Sequence, residues 1–318
     1  MSAALICGVS GQDGAYLAQL LLKAGYRVFG TSRDAQVGGT ANLTRLELAG
    51  RVTMLSMAPN DFRSVLQVLD KVRPDEIYNL AGQSSVGLSF DQPVETLESH
   101  AVATLNLLES IRFMKLDARF YSAGSSECFG DTGTAAANED TPFRPRSPYA
   151  VAKATAFWEV ANYREAYGLY ACTGILFNHE SPLRPERFVT QKIVRTAARI
   201  GAGSAERLRL GNLDIGRDWG WAPEYVQAMW QMLQQPQPED FVIATGQTNT
   251  LEDFVAKAFG HFGLDWHDHV DIDRSLFRPS DLKLSRANPA KAKAQLGWEA
   301  QTDISAVIRQ MIEGVARP

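Results

Sequence analysis

At 318 residues the chain is long enough for two average domains, or for one α/β domain with a smaller companion. Its 45% hydrophobic and 21% charged residues are those of a packed soluble protein, and a net charge of −4 argues against a surface built for nucleic acid or anionic lipid. The cysteines Cys7, Cys128 and Cys172 lie in apolar, strand-like contexts without CxxC spacing, which argues against both a disulfide framework and a zinc site.

The first half alternates short β-rich runs with helical patterns. Ala4–Val9, Arg27–Gly30, Val52–Ser56, Glu76–Ala81, Arg119–Ser122 and Ala171–Phe177 read as strands, apolar without strict alternation, as expected for a parallel sheet covered on both faces. Between them, Phe62, Val65, Leu66 and Leu69 follow helical spacing, as do Leu97, Ala101, Leu105 and Leu108. The alternation predicts a right-handed, doubly wound parallel sheet. After Phe177 a polar and basic stretch, 178–187, leads into a helix from Phe188 to Gly201 and a short strand pair around Leu208–Leu213. Pro223–Gln234 reads as a helix begun by proline, Phe241–Ala244 as a strand returning to the sheet, and the remainder as short helices and loops. With no secretory signal and no apolar run long enough to span a bilayer, the expectation is a cytoplasmic enzyme with no membrane partner.

Gly8-Val9-Ser10-Gly11-Gln12-Asp13-Gly14 follows the first strand and opens a helix with Leu17, Leu20 and Leu21 on one face. Glycines there allow a tight turn, close approach of a pyrophosphate and close helix–strand packing, and the helix N-terminus offers amides to the anion. Gly8, Ser10, Gly11, Gln12, Asp13 and Gly14 are therefore candidate dinucleotide contacts. At the end of the second strand Ser32 and Arg33 precede Asp34; a carboxylate there suits NAD and an arginine NADP, and this order favours NADP, with NAD the alternative. Tyr149 and Lys153 stand at i and i+4 on one helix face, where a lysine charge lowers the pKa of a phenol. Ser125, Ser126 and Glu127 follow the fifth strand, at the end where a doubly wound sheet builds its site. Hydroxyl, phenol and lysine suffice for hydride transfer at a carbinol; Glu127 beside them suggests a second proton transfer and should be buried enough for its pKa to rise. His267-Asp268-His269 reads as a solvated loop, not a metal site.

This set resembles the extended short-chain dehydrogenase/reductase superfamily and, more closely, the GDP-mannose 4,6-dehydratases. The resemblance is carried by Gly8–Leu17 (GVSGQDGAYL), Asp75–Ala81 (DEIYNLA), Thr141–Lys153 (TPFRPRSPYAVAK), Asn162–Tyr167 (NYREAY), Gly174–Pro182 (GILFNHESP), Leu210–Gly220 (LGNLDIGRDWG), Phe241–Gly246 (FVIATG) and Phe277–Pro279 (FRP). It implies a Rossmann domain of residues 1–177 and 222–247, and a smaller α/β nucleotide-sugar-binding domain of 178–221 and 248–318. It also implies conversion of GDP-mannose to GDP-4-keto-6-deoxymannose with internally recycled NADP(H). Tyr149 would take the C4 hydroxyl proton, Glu127 the C5 proton, and Glu127 or Ser126 would protonate the leaving C6 hydroxyl. Leu80 and Ala81 would flank the cofactor, Gln83 and Ser84 would line the sugar pocket, and Asn178, Lys192, Arg217, Arg278 and Asp281 would hold the GDP-sugar, assisted by Arg184 and Arg187.

The chain departs from that pattern in several places. Arg33-Asp34 replaces paired arginines, Met57 an aspartate, Ser125 a threonine, Asp281 a glutamate, and Ser85 stands where the family often carries histidine. A GDP-manno-heptose dehydratase is the alternative these changes raise; a 4-ketosugar reductase or epimerase is disfavoured by Glu127. The resemblance further implies a homodimer or homotetramer.

Overall fold

Residues Ala3–Cys7 are apolar and all buried, and they form β1 at the centre of a parallel sheet in the computed structural model, which describes residues 1–37 and 39–315. The strands are β1, β2 (Arg27–Ser32), β3 (Thr53–Ser56), β4 (Glu76–Asn79), β5 (Arg119–Ala123), β6 (Ala171–Leu176), β7 (Asn178–Glu180), β8 (Leu208–Leu210), β9 (Gly216–Arg217), β10 (Trp219–Trp221), β11 (Phe241–Ile243), β12 (Asn249–Thr250) and β13 (Val270–Ile272). Seven of them pair in the order β11-β6-β5-β4-β1-β2-β3, all parallel. The order reverses at β1 and β4, so the crevice beyond their carboxyl ends is the place where a doubly wound sheet takes its ligand. Both strands end earlier than the apolar runs suggest, at Cys7 and Asn79, because the chain then turns into loops entering that crevice.

The helices are α1 (Gln12–Lys23), α2 (Ala41–Arg45), α3 (Phe62–Val72), α4 (Val86–Asp91), α5 (Pro93–Leu97), α6 (Ala103–Phe113), α7 (Pro148–Tyr167), α8 (Val189–Gly201), α9 (Ala222–Leu233), α10 (Leu251–Gly260) and α11 (Ile304–Val315). Leu17 and Leu21 of α1 pack with Tyr225, Met229 and Leu233 of α9 on one sheet face. Val65 and Leu69 of α3, Leu107 and Ile111 of α6 and Val160 of α7 cover the other. A further core gathers Ile193 and Ala197 of α8, Phe254 and Phe259 of α10 and Ile308 and Met311 of α11 around Leu208 and Val270. Trp298, from the C-terminal stretch, packs in the first core and donates to the Glu224 carbonyl at 3.0 Å.

Two elements differ from expectation. The strand pair around Leu208–Leu213 is a single strand, β8, paired in parallel with β13; the partner comes from far along the chain, so no local turn announces it. The helix expected through Leu97, Ala101, Leu105 and Leu108 is α5 and α6 joined by a π turn, Glu98–Val102. Along it Ala101 and Leu108 are buried while Leu97 and Leu105 are exposed.

Candidate active site

All the candidate site residues line one cleft of about 1020 Å³. Gly8, Ser10, Gly11, Gln12, Asp13 and Gly14 form its floor at the start of α1. Gly11 is the N-cap and no side chain caps this helix, which leaves its first amides to a ligand. A Cβ on Gly14 would collide with the Gly8 carbonyl and the Val9 backbone, so glycine is required for α1 to pack this close to β1. The side chains of Gln12 and Asp13 are engaged within the protein. Gln12 Nε2 donates to the His179 carbonyl at 3.1 Å and Oε1 accepts from Ser181 Oγ at 2.7 Å. Asp13 Oδ2 lies 2.9 Å from His179 Nε2.

At the rim, Ser32 and Arg33 face the cleft, with the exposed Arg33 guanidinium 4.0 Å from Glu95. Asp34 is turned into its own loop, where Oδ1 accepts from the amides of Gln36 at 2.9 Å and Val37 at 3.2 Å. Leu80 and Ala81, from the end of β4, and the buried Met57 also line the cleft.

The chemistry-bearing groups sit deeper. Ser147 caps α7 by accepting from the Ala150 amide at 3.1 Å, Pro148 occupies its first turn, and Gly168 closes it in a left-handed conformation. A capped start of this kind stabilises a helix by about 1 kcal/mol and here fixes where Tyr149 and Lys153 point. Tyr149, Lys153, Ser125 and Ser126 are all buried. Ser125 Oγ accepts from the Glu127 amide at 3.3 Å, capping the short turn Ser126–Phe129, and the serine side chain stands near enough to the Tyr149 phenol to favour its ionised form. One serine therefore caps the carboxylate-bearing turn beside the phenol.

Burial pushes the Glu127 carboxyl up from its ordinary value, against the opposing pull of Arg217 and Arg278. This agrees with the expectation for a general base. For Tyr149, burial outweighs the pull of Ser125 and raises the phenol. Lys153 Nζ donates to the Ala123 carbonyl at 2.7 Å and lies 5.9 Å from the Tyr149 ring centroid. Burial brings this ammonium down to about 8. In the ligand-free chain the phenol is accordingly neutral, and its ionisation needs a further positive charge in the cleft.

At the substrate end, Asn178 opens β7 and Lys192 Nζ donates to the Arg209 carbonyl at 2.6 Å. Arg217 is buried, and its Nη2 has no hydrogen-bond partner; Asp281 is 3.6 Å away. Arg278 is 4.0 Å from the same carboxylate. Two guanidinium groups thus face the cleft, one with an unmet donor. Arg184, which lines the cleft with Arg187, pairs with Glu180 at 3.0 Å and stacks on Phe188. Gln83 folds back on its own loop, where Nε2 donates to the Ser85 carbonyl at 2.8 Å and Oε1 accepts from the Ser85 amide; Ser84 lines the cleft beside it.

Two cleft residues, Asn42, which donates to the Ser10 carbonyl at 3.0 Å, and His100, belong to no motif of the sequence, and His179 lies within Gly174–Pro182 with nothing local to mark a role. Each is a lone polar residue whose neighbours in the cleft come from distant segments. His267 is exposed and bonded to Asp265 at 2.7 Å, and among the described residues no cluster of His, Cys, Asp and Glu suits a metal ion. No described helix is long and apolar enough to cross a membrane.

Comparison with known proteins agrees with this geometry. At the level of fold, the chain superposes on a UDP-glucose 4-epimerase of Thermus thermophilus with a TM-score of 0.88 at 23% identity, covering 99% of each chain. It superposes on a dTDP-glucose 4,6-dehydratase of Bacillus anthracis with a TM-score of 0.87 at 17% identity, covering 100% of this chain and 97% of the other. In sequence it is 44% identical to GDP-mannose 4,6 dehydratase 1 of Arabidopsis thaliana, over 98% of this chain and 88% of that one. It is also 44% identical to a GDP-mannose 4,6-dehydratase of Sinorhizobium fredii, over 97% and 95%. The family model described as GDP-mannose 4,6 dehydratase matches residues 5–311. The chain belongs to the GDP-mannose 4,6-dehydratase family, whose members are hydro-lyases.

Proposed function

We propose that the chain converts GDP-mannose to GDP-4-keto-6-deoxymannose and water, with residues 1–177 and 222–247 holding the cofactor and 178–221 and 248–318 the nucleotide sugar. The observation that carries this reading is Glu127: a half-buried carboxyl with a raised pKa, on a turn capped by Ser125 and in the same cleft as Tyr149. Reduction or oxidation at a single carbon needs the phenol and lysine alone; a second proton-handling group of this kind serves elimination of water.

The cleft fits a dinucleotide. The uncapped start of α1, the glycine cradle and the exposed Arg33 suit its pyrophosphate and a 2′-phosphate, while the Asp34 carboxylate is occupied elsewhere, which favours NADP over NAD. When bound, the cofactor supplies an acceptor that takes one hydride from the sugar and later returns it, and adds the positive charge that the Tyr149 phenol lacks.

Tyr149, with Ser125 near it, takes the proton of the C4 hydroxyl as the hydride leaves C4. The resulting 4-ketone acidifies C5, and Glu127 removes the C5 proton. Glu127, with Ser126 beside it, then protonates the departing C6 hydroxyl and water leaves; the proton that Tyr149 took up is given back to C5 as C6 is reduced, so that each residue ends as it began. Arg217 and Arg278 hold the diphosphate, and their planar guanidinium groups suit bidentate contact.

The apolar side chains of Val94, Leu97 and Leu105 are exposed along α5 and α6, as are those of Val151 and Trp158 along α7, and these helices pack side by side. We take this face to seat a second copy of the chain. The three free, buried cysteines fit a reducing, cytoplasmic setting.

Incubation of the purified holoenzyme with GDP-mannose and no added reductant tests the reading; loss of water without consumption of NADPH is expected. A turnover needing one NADPH per sugar would mean a reductase instead. GDP-manno-heptose in a parallel reaction identifies the preferred sugar.

A further inference from the structure

The helical segment beside the cleft changes pitch at one place, the π turn Glu98–Val102, and His100 is its middle residue. Single π turns are uncommon and are found mostly where a side chain is displaced toward a functional site. His100 is buried and lines the cleft. Its Nε2 lies 2.7 Å from the Gln83 carbonyl, in the loop that leaves β4. A carbonyl only accepts, so Nε2 carries the proton and the tautomer is fixed. The imidazole also meets the Tyr149 ring edge-on, with centroids 5.3 Å apart and planes at 84°. Gly82 adopts φ +130°, and a Cβ there would collide with the imidazole, so the loop and the π turn are fitted to each other. Burial, reinforced by the Lys153 charge, holds the imidazole well below the ordinary histidine value, and it is therefore neutral at physiological pH. It is not placed to store a proton.

We propose that His100 is a positioning residue for the dehydratase reaction: it ties the sugar-pocket loop Gly82–Ser85 to the Tyr149 ring, so that the C4 hydroxyl meets the phenol in register. Two independent geometries carry this, the hydrogen bond to the loop and the edge-on contact with the phenol, brought together by a helix defect at that residue. The assignment rests on the reading of Tyr149 and Glu127 given above. A misplacement of about 1 Å at a reacting centre costs about 100-fold in rate, and this is the scale of the effect expected.

The test compares wild-type holoenzyme with His100→Ala and His100→Gln, measuring kcat and KM for GDP-mannose, retained cofactor and melting temperature. His100→Ala should keep its cofactor, lose about 100-fold in kcat and show a raised KM. His100→Gln, whose amide still donates to the Gln83 carbonyl, should recover about tenfold of that loss. If the alanine variant does not fold, His100→Met, which fills the space without a donor, replaces it in the comparison with glutamine. Active wild type with unaffected variants, or a glutamine variant no better than the one lacking a donor, overturns the assignment alone. A wild-type enzyme that leaves both GDP-mannose and GDP-manno-heptose unchanged overturns the dehydratase reading and the assignment with it.

Discussion

His179 donates through Nε2 to Asp13 at 2.9 Å and through Nδ1 to the Phe177 carbonyl at 2.7 Å, which ties the start of α1 to the strand that opens the substrate side of the cleft. With both ring nitrogens donating, the imidazole is cationic and the contact is a buried ion pair. Burial opposes both charges, yet the pair prevails: the His179 pKa is raised and that of Asp13 lowered. The His179 share of stability is fully present below the unfolded value of 6.5 and is lost as pH rises through the higher folded value. The Asp13 share is present above 3.8 and lost as pH falls through the lower folded value. His179→Asn should therefore lower the melting temperature most between these two values, with the gap from wild type narrowing at alkaline pH. A gap that stayed constant across pH would show that no ion pair forms.

Glu127→Gln should reduce water loss by about 10²- to 10⁴-fold while cofactor content is unchanged. Because burial raises the Glu127 pKa, the folded chain holds this proton at pH values where the unfolded chain has lost it, and stability falls as pH rises from 4.5 through the folded value. The glutamine variant escapes that loss and should melt higher than wild type at neutral pH. The activity of wild type should decline on the acid side with a midpoint above 4.5, and a variant of full activity would remove Glu127 from the mechanism.

Arg33 is exposed at the cleft rim while the Asp34 carboxylate caps its own turn. A charged hydrogen bond to a phosphate contributes about 1.5–3 kcal/mol, so Arg33→Ala should weaken NADP binding about 10- to 100-fold and leave NAD nearly unaffected. Titration of the cofactor-free protein with each dinucleotide measures this, and equal losses for both would place Arg33 elsewhere than on the 2′-phosphate.

Leu105 and Trp158 project from neighbouring helices without contributing to the buried cores, so charges there should leave the fold intact. Leu105→Glu with Trp158→Glu should convert a dimer to a monomer in size-exclusion chromatography with light scattering. An unchanged mass would show that this face carries no subunit contact.

The alternation of apolar runs and helical periods determined the doubly wound sheet, because a strand buried on both faces must be apolar throughout and its crossover helix apolar on one side. Local spacing likewise determined the glycine turn, the Tyr149–Lys153 pair and the Ser125–Glu127 cluster, since each lies within a turn or two of chain. The identities of the sugar-side residues Arg217, Arg278 and Asp281 came from resemblance, as their proximity is created by strands and loops far apart in sequence. Tertiary structure alone decided the electrostatics: Tyr149 is raised by burial, and Lys153 is committed to the Ala123 carbonyl. It alone decided the parallel partner of β8, the π turn and the exposure of Leu97 and Leu105. His100 belongs to no local pattern, and His179 lies within Gly174–Pro182 with nothing local to mark its role. Their roles arise from contacts with Gln83, Tyr149 and Asp13, which only the folded sheet brings within reach.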